Sequence, residues 1–223
     1  MRSRLERHAQ VWLVCDTTAM SQYFEIHPAH PQPRLIRQAA SIVQRGGVIA
    51  YPTDSSYAFG CHLGDKSALD RMRALRQLSR RHLLTLMCRD LSVIATYARV
   101  DNSQYRALRH ATPGPFTFIL QASREVPKRL LQDKRKTLGL RIPDNSIVQA
   151  LLQELGEPML STSALLPAAT RPLVDAVEIR ARLEKQLDLV IDGGTCGITP
   201  STVVDLTLSP PGVLREGLGV WPS

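Results

Sequence analysis

The feature that most constrains this chain is the alternation of short apolar runs with stretches of helical spacing. Val48-Ile49-Ala50-Tyr51, Leu84 to Cys88, Phe116 to Leu120, Thr137 to Arg141, Met159 to Ser161 and Asp188 to Asp192 are each of strand length. Before the first of them Leu35, Ile36, Ala39, Ala40, Ile42 and Val43 recur on one helix face, and Gly46-Gly47 ends that element. Runs of this kind cannot stand alone, and helices between them supply cover for a sheet, so the pattern predicts an α/β architecture with helices outside. No segment repeats. With 223 residues, 43% of them hydrophobic, the chain can bury one substantial core, which favours a single domain.

The punctuation between the runs is specific. His27 to Pro33 holds three prolines and is a surface lead-in. Ser67-Ala-Leu-Asp70 has the spacing of a capping box and predicts a helix to about Leu78. Asp90 can cap a helix to about Arg99, and Asp101 or Asn102 another to His110. Thr112-Pro-Gly-Pro115 breaks the chain before Phe116 to Leu120, a strand expected to be packed on both faces. A basic, partly helical connection over 128–136 leads to the Thr137–Arg141 run, a helix follows over about Ser146–Leu155, and Asp175 to Glu178 repeats the capping-box spacing. Ser201 to Thr207 and Val213 to Arg215 close the chain as a strand pair.

Several chemistries are excluded early. Cys15, Cys61, Cys88 and Cys196 form no CxxC pair, so they read as buried reduced thiols rather than a disulfide framework or zinc site. The six histidines make no HxxxH spacing, so any metal should arrive with substrate. There is no GxxxxGK[ST], strand-placed GxGxxG or GxSxG. No stretch approaches the ~18 apolar residues of a membrane-spanning helix, so a membrane partner is not expected and a cytoplasmic location is. Residues 1–19 read as a disordered arm or start-site extension before a domain over 20–223. That arm carries three Arg against one Glu and one Asp, so the formal +8 belongs mainly to the domain and favours phosphate-bearing partners.

Polar residues at the ends of apolar strands are where such a sheet offers side chains to ligands. Tyr51-Pro52-Thr53-Asp54-Ser55-Ser56-Tyr57 puts four small polar residues in a row, which is also what an ordinary Asp/Ser turn looks like. Thr137 and Arg141 share one face of a strand; that Arg fits an anion ligand and a structural ion pair equally well. Ser161 and Ser163 share a face just after a buried run, and Pro200-Ser201-Thr202 stands with Arg215 near the C-terminal strand pair. Arg71, Arg73, Arg76 and the basic run 128–136 could form a phosphate-binding surface or a solvated face.

Taken in order, these segments resemble the YrdC/YciO family, and the YciO branch in particular. The marks are Gly46-Gly47 before Tyr51 to Tyr57, Pro113-Gly114-Pro115 with Thr117-Phe118, Leu140-Arg141-Ile142-Pro143, Ser161-Thr162-Ser163-Ala164, Asp192-Gly193-Gly194, Pro200 to Val204 and Arg215-Glu216-Gly217. The resemblance implies a single domain with a twisted, mixed sheet flanked by helices around a concave basic surface. It implies a threonylcarbamoyl-AMP synthase-like nucleotidyltransferase joining L-threonine, bicarbonate and ATP, with Mg2+ carried on the ATP, in the service of tRNA modification. Position by position, Ser55, Arg141, Ser161 and Ser201 would hold threonine or its carbamate. Arg76, His82, Thr137, Ser163 and Arg215 would hold ATP.

The chain departs from the synthase pattern at Arg76, Leu78 and His82, where synthases carry Lys-x-Arg and a nearby Asn. It departs again at Leu165, where they have Asn, and at Met87, often His. Losing an Arg at 78 deletes charge-assisted hydrogen bonds worth ~1.5–3 kcal/mol each. Three readings follow: a synthase weakened or altered in substrate, a protein binding tRNA, double-stranded RNA or ribosomal RNA without catalysis, or a related release of phosphate or pyrophosphate from an acyl-adenylate or carbamoyl-adenylate.

Overall fold

The computed structural model describes residues 20–79, 82–131 and 136–222, and the expected arm over 1–19 lies outside the described residues. Strands β1 (Gln22–Glu25), β2 (Ile49–Tyr51), β3 (Ala58–His62), β4 (Thr85–Met87), β5 (Ala98–Arg99), β6 (Phe116–Ala122), β7 (Thr137–Arg141), β8 (Met159–Ser163), β9 (Leu189–Asp192), β10 (Thr202–Asp205) and β11 (Gly212–Arg215) form one sheet. Its order is β1-β9-β2-β3-β8-β4-β7-β6-β10-β11, with β5 paired to β6. The β1/β9, β2/β9, β4/β7 and β6/β10 pairs are parallel and the others antiparallel, so the sheet is mixed, as expected.

Helices α1 (Pro33–Gln44), α2 (Lys66–Arg76), α3 (Leu91–Tyr97), α4 (Asn102–Ala111), α5 (Ser146–Leu155) and α6 (Ala176–Leu183) cover the sheet unequally. Alternation along each strand sends Ala50, Phe59, Leu86, Leu140, Leu160 and Val190 to one side. There they pack with Leu69 and Met72 of α2, Ile94 of α3, Leu108 of α4 and Ile179 of α6. Ile49, Tyr51, Met87, Met159 and Ile191 point the other way, into a second cluster supplied by Ile36, Ala39 and Val43 of α1 and Ile147, Val148 and Leu151 of α5. Fully burying one such aliphatic side chain contributes about 1.5–3 kcal/mol. α1 and α5 reach only part of this second face, and the cavity described below occupies its continuation over β4, β7, β6 and β10.

Three local expectations are corrected. β1 was not expected: Gln22-Tyr-Phe-Glu25 has no strand-like apolar run, and it is long-range pairing with β9 that makes it a strand. Tyr23 fixes that edge by donating to Asp192 at 2.6 Å, while the Arg180 guanidinium lies 5.2 Å from its ring centre. Phe116 to Leu120 is buried at every position, as expected, but only one face packs on the core, because Thr117 and Ile119 face the cavity. The cap of α2 is Asp65 rather than Ser67: Asp65 accepts from Ala68 N at 2.9 Å, and no capping box forms. The Asp175 cap holds as expected, and the true capping box is that of Asp101 with Gln104 on α4. Cys61 and Cys88 are buried free thiols and Cys196 is a half-buried one. Among the described residues no helix is long and apolar enough to cross a membrane.

The assignment of the α2 cap is testable. Asp65→Ala should lower unfolding free energy by about 1 kcal/mol, whereas Ser67→Ala, at an exposed position, should stay within ~0.5 kcal/mol. Urea unfolding followed by circular dichroism separates the two; equal losses would return the cap to Ser67.

Candidate functional site

The cavity, about 430 Å³, lies on the part of the sheet that α1 and α5 leave uncovered. Its floor is written in the strand register. Ser161 of β8 pairs with Thr85 of β4, Thr85 with Gly139 of β7, and Gly139 with Ile119 of β6, forming one row across four strands. The next row brings Met87 of β4 beside Arg141 of β7, and Thr117 of β6 beside Val203 of β10. Gly139 keeps the middle of the floor open: a Cβ there would stand 3.3 Å from Thr85 Oγ1 and 3.4 Å from the Thr117 methyl. The rim is Arg76 from the end of α2, His82 and Leu83 beyond it, Leu165, Thr170 and Pro172 after β8, Ile198 and Pro200 before β10, and Leu214 and Arg215 of β11.

Of the residues singled out in the sequence, Arg76, His82, Arg141, Ser161, Ser163, Ser201 and Arg215 line this cavity together. Ser55 is one hydrogen bond away, accepting from Arg141 Nη2 at 3.0 Å. Thr137 is on the same strand face as Arg141 but beyond Gly139, paired with Gln121 and buried, and does not line the cavity. Residues 132–135, part of the expected basic run, lie outside the described residues. Arg71 serves structure, pairing with Asp188 at 2.8 Å, and Arg129 donates to the Gly64 carbonyl at 2.6 Å.

Thr85 escaped the sequence reading, and Thr53, Thr117 and Thr162 entered it only as members of segments with no role of their own, yet the four give the cavity much of its hydroxyl character. A signal was present: Thr85 two before Met87, Thr117 two before Ile119 and Gly139 two before Arg141 are alternate strand positions interrupting apolar runs.

The electrostatics are one-sided. Arg141 is 6% exposed and its charge is balanced by Asp54, so both readings of that Arg meet in one residue: it is ion-paired and it faces the cavity. Arg76 donates through Nε to the Leu165 carbonyl at 2.7 Å and through Nη1 to Thr162 Oγ1 at 2.6 Å. Arg215 donates from Nη2 to the Ser201 carbonyl at 2.7 Å, while the Ser201 and Thr117 hydroxyls are 2.8 Å apart. Burial lowers the pKa of Arg76, and burial with the nearby Arg141 charge lowers that of Arg215. His82 is held below the ordinary imidazole value by desolvation first, then by the charges of Arg76, Arg73 and Arg215. A hydroxyl-lined hollow with one buried cation on its floor, two more arginines at its rim and no carboxylate among its lining residues suits an anion. Leu78 does not line it; this side chain packs against the core cluster of α2.

Comparison with known proteins places this geometry. A family model covering Sua5, YciO and YrdC proteins, described as telomere recombination, matches residues 41–217. YciO of Escherichia coli K12 is 58% identical over 200 residues, covering 90% of this chain and 97% of the relative. Its crystal structure superposes with a TM-score of 0.87 at 57% identity, covering 90% of this chain and 98% of that one. A threonylcarbamoyl-AMP synthase of Halorhodospira halophila is 30% identical over 178 residues, covering 79% of this chain and 92% of its own. The crystal structure of P. abyssi Sua5 complexed with L-threonine shares the fold, with a TM-score of 0.81 at 24% identity, covering 88% of this chain and 58% of that one.

The charge field at the rim has a direct readout. In an NMR pH titration the His82 ring should titrate below the ordinary imidazole value of about 6.5, so that it is neutral at pH 7 in the free protein. Arg215→Ala, which removes one of the depressing charges, should move that midpoint upward; an unchanged or lower midpoint would refute the assigned cause.

Proposed function

The chain belongs to the Sua5, YciO and YrdC family, and from that premise we propose that its cavity holds an amino acid and a nucleotide side by side for threonylcarbamoyl-AMP synthase-type chemistry. The observation that carries the reading is Arg141, an almost fully buried guanidinium facing a hydroxyl-lined hollow, with Arg215, Arg76 and His82 on the rim. The 30% identity to a threonylcarbamoyl-AMP synthase supports the reaction, and the L-threonine bound by P. abyssi Sua5 is consistent with the amino acid.

In this reading Arg141, with Ser55 beside it and Ser161 and Ser201 on the floor, takes the carboxylate end of threonine. Arg215, Ser163, Arg76 and His82 face the phosphates; Thr137, away from the cavity, drops out of the proposed contacts. Bicarbonate and the threonine amine give the carbamate with loss of water. One carbamate oxygen then attacks the α-phosphorus of ATP, and the bond to pyrophosphate breaks in line. That displacement needs alignment and charge neutralisation rather than a protein nucleophile. Among the described residues no cluster of three metal-binding side chains exists, and Asp54 is taken by Arg141, so Mg2+ would come with the ATP as part of the substrate.

Arg76 already spends two donors on Leu165 and Thr162, which favours a slow or altered reaction over a fast one. The same observation favours a second reading, RNA binding on the basic surface without turnover, whose mark would be an affinity falling steeply with salt. The deciding assay is formation of radiolabelled threonylcarbamoyl-AMP from ATP, bicarbonate and L-threonine. The wild-type chain should give product only with threonine present. Arg141→Lys, which keeps the charge and loses the fork, should reduce it at least ~10-fold, the equivalent of one charge-assisted contact. No product beside an active synthase control would end the synthase reading and leave RNA binding.

A further inference from the structure

Arg141 is held from one side only. Asp54 Oδ1 and Ser55 Oγ, both in the turn between β2 and β3, accept from the same nitrogen, Nη2. Nε is buried and has no partner among the described residues. One corner of the guanidinium is therefore clamped while the side chain as a whole lines the cavity. This is the least exposed ion pair among the described residues, its side chains 7% and 11% exposed where every other pair has both partners at 25% or more.

The turn that carries the clamp is itself rigid. Thr53 donates its hydroxyl proton to the Ser56 carbonyl at 2.6 Å, and its oxygen receives the amides of Ser55 and Ser56 at 3.2 Å. With that proton committed, the Ser55 hydroxyl points to Thr53 at 3.2 Å and keeps its lone pair for Arg141. The loop after β9 backs the turn: Cys196 Sγ donates to the Thr53 carbonyl at 3.5 Å, and a Cβ on Gly197 would press to 2.9 Å from the Ser55 carbonyl. Thr53 and Ser56 line the cavity, whereas Asp54 between them does not.

We propose that Asp54 is a positioning residue for ligand binding: its carboxylate, anchored in this turn, sets the direction in which the Arg141 guanidinium meets a carboxylate in the cavity. The proposal rests on the reading of Arg141 as the carboxylate anchor. A bidentate contact to a carboxylate is directional, so a guanidinium free to rotate loses it even with its charge intact.

The test is isothermal titration of the full chain with L-threonine and, separately, with ATP. Asp54→Asn should weaken L-threonine at least ~10-fold while ATP changes by less than ~2-fold, since only the threonine carboxylate uses the Arg141 fork. Asp54→Glu keeps the charge, and so the fold, but pushes the guanidinium by one methylene, and should weaken L-threonine at least ~3-fold. In the Arg141→Lys background, Asp54→Asn should add nothing, because both act through one group. L-Threonine binding unchanged or tightened in both Asp54 variants, additive losses, or parallel loss of ATP would overturn the positioning role. If the wild-type chain does not bind L-threonine, the amino-acid reading itself fails. Crystal structures of the wild type and Asp54→Asn then decide the role of Asp54 without a ligand: an Arg141 guanidinium displaced by more than ~1 Å supports it, and one left in place overturns it.

Discussion

Everything functional in this structure depends on a sheet that is wider than its cover. A helix must bury its apolar stripe and a sheet its apolar faces, so a strand left without a helix must be covered or made polar. On one side α2, α3, α4 and α6 supply the cover. On the other, α1 and α5 pack together over only part of the face, and beyond them β4, β7, β6 and β10 meet a hollow. Of these, β4, β7 and β6 interrupt the apolar run at alternate positions with Thr85, Gly139 and Arg141, and Thr117, keeping the opposite face, Leu86, Leu140 and Phe118, wholly apolar. The site is thus a continuation of the core with its chemistry inverted, and its rigidity is that of the sheet.

Placing a permanent cation in such a floor has an electrostatic consequence. Arginine does not lose its proton under ordinary conditions, so a buried one needs a counter-charge or a ligand. Asp54 supplies the counter-charge through a turn whose geometry Thr53 fixes. Away from the floor the logic differs: Arg76 and Arg215 lean on backbone carbonyls, which accept a hydrogen bond without cancelling a full charge. The rim therefore stays positive while the floor is neutralised, and His82 registers the difference by being pushed toward its neutral form. Attraction for negative charge is therefore strongest at the rim, and directional bonding is offered only at the floor.

How much of this was legible in the sequence follows from the range of the interactions involved. Elements fixed by local signals came out closely: α5 over Ser146–Leu155 is set by Asn145 before it and Gly156, at φ +71°, after it. β1 was invisible because nothing in Gln22 to Glu25 demands a strand; its reason is β9, distant in sequence. For α2 the capping-box spacing pointed to Ser67, whereas the cap is Asp65, two residues earlier, for reasons that spacing does not contain. At the site, the residues carried by recognisable segments converged, while Thr137 did not, because sharing a strand face with Arg141 says nothing about how far along the strand the hollow extends. The threonines of the floor belonged to short strands whose facing direction becomes known only once the sheet order is fixed.

The departures expected at Leu78 and Leu165 meet in that same geometry, because both lie beside Arg76 at the end of α2. α2 ends in a left-handed Gln77, at φ +51°, and Leu78 N returns to the Arg73 carbonyl, which directs the Leu78 side chain into the core instead of the cavity. Arg76, the last residue of the helix, then reaches the other way and ties the Leu165 carbonyl and Thr162 to α2. An apolar residue at 78 is what the core side of this turn calls for, and an Arg76 occupied with the backbone leaves no need for a polar side chain at 165. Arg76 is thus a staple between helix and strand, while Arg141, Ser161, Ser201 and Arg215 surround the hollow. The floor and the rim of the cavity are therefore under different constraints, the first held by the sheet and the second by a helix terminus.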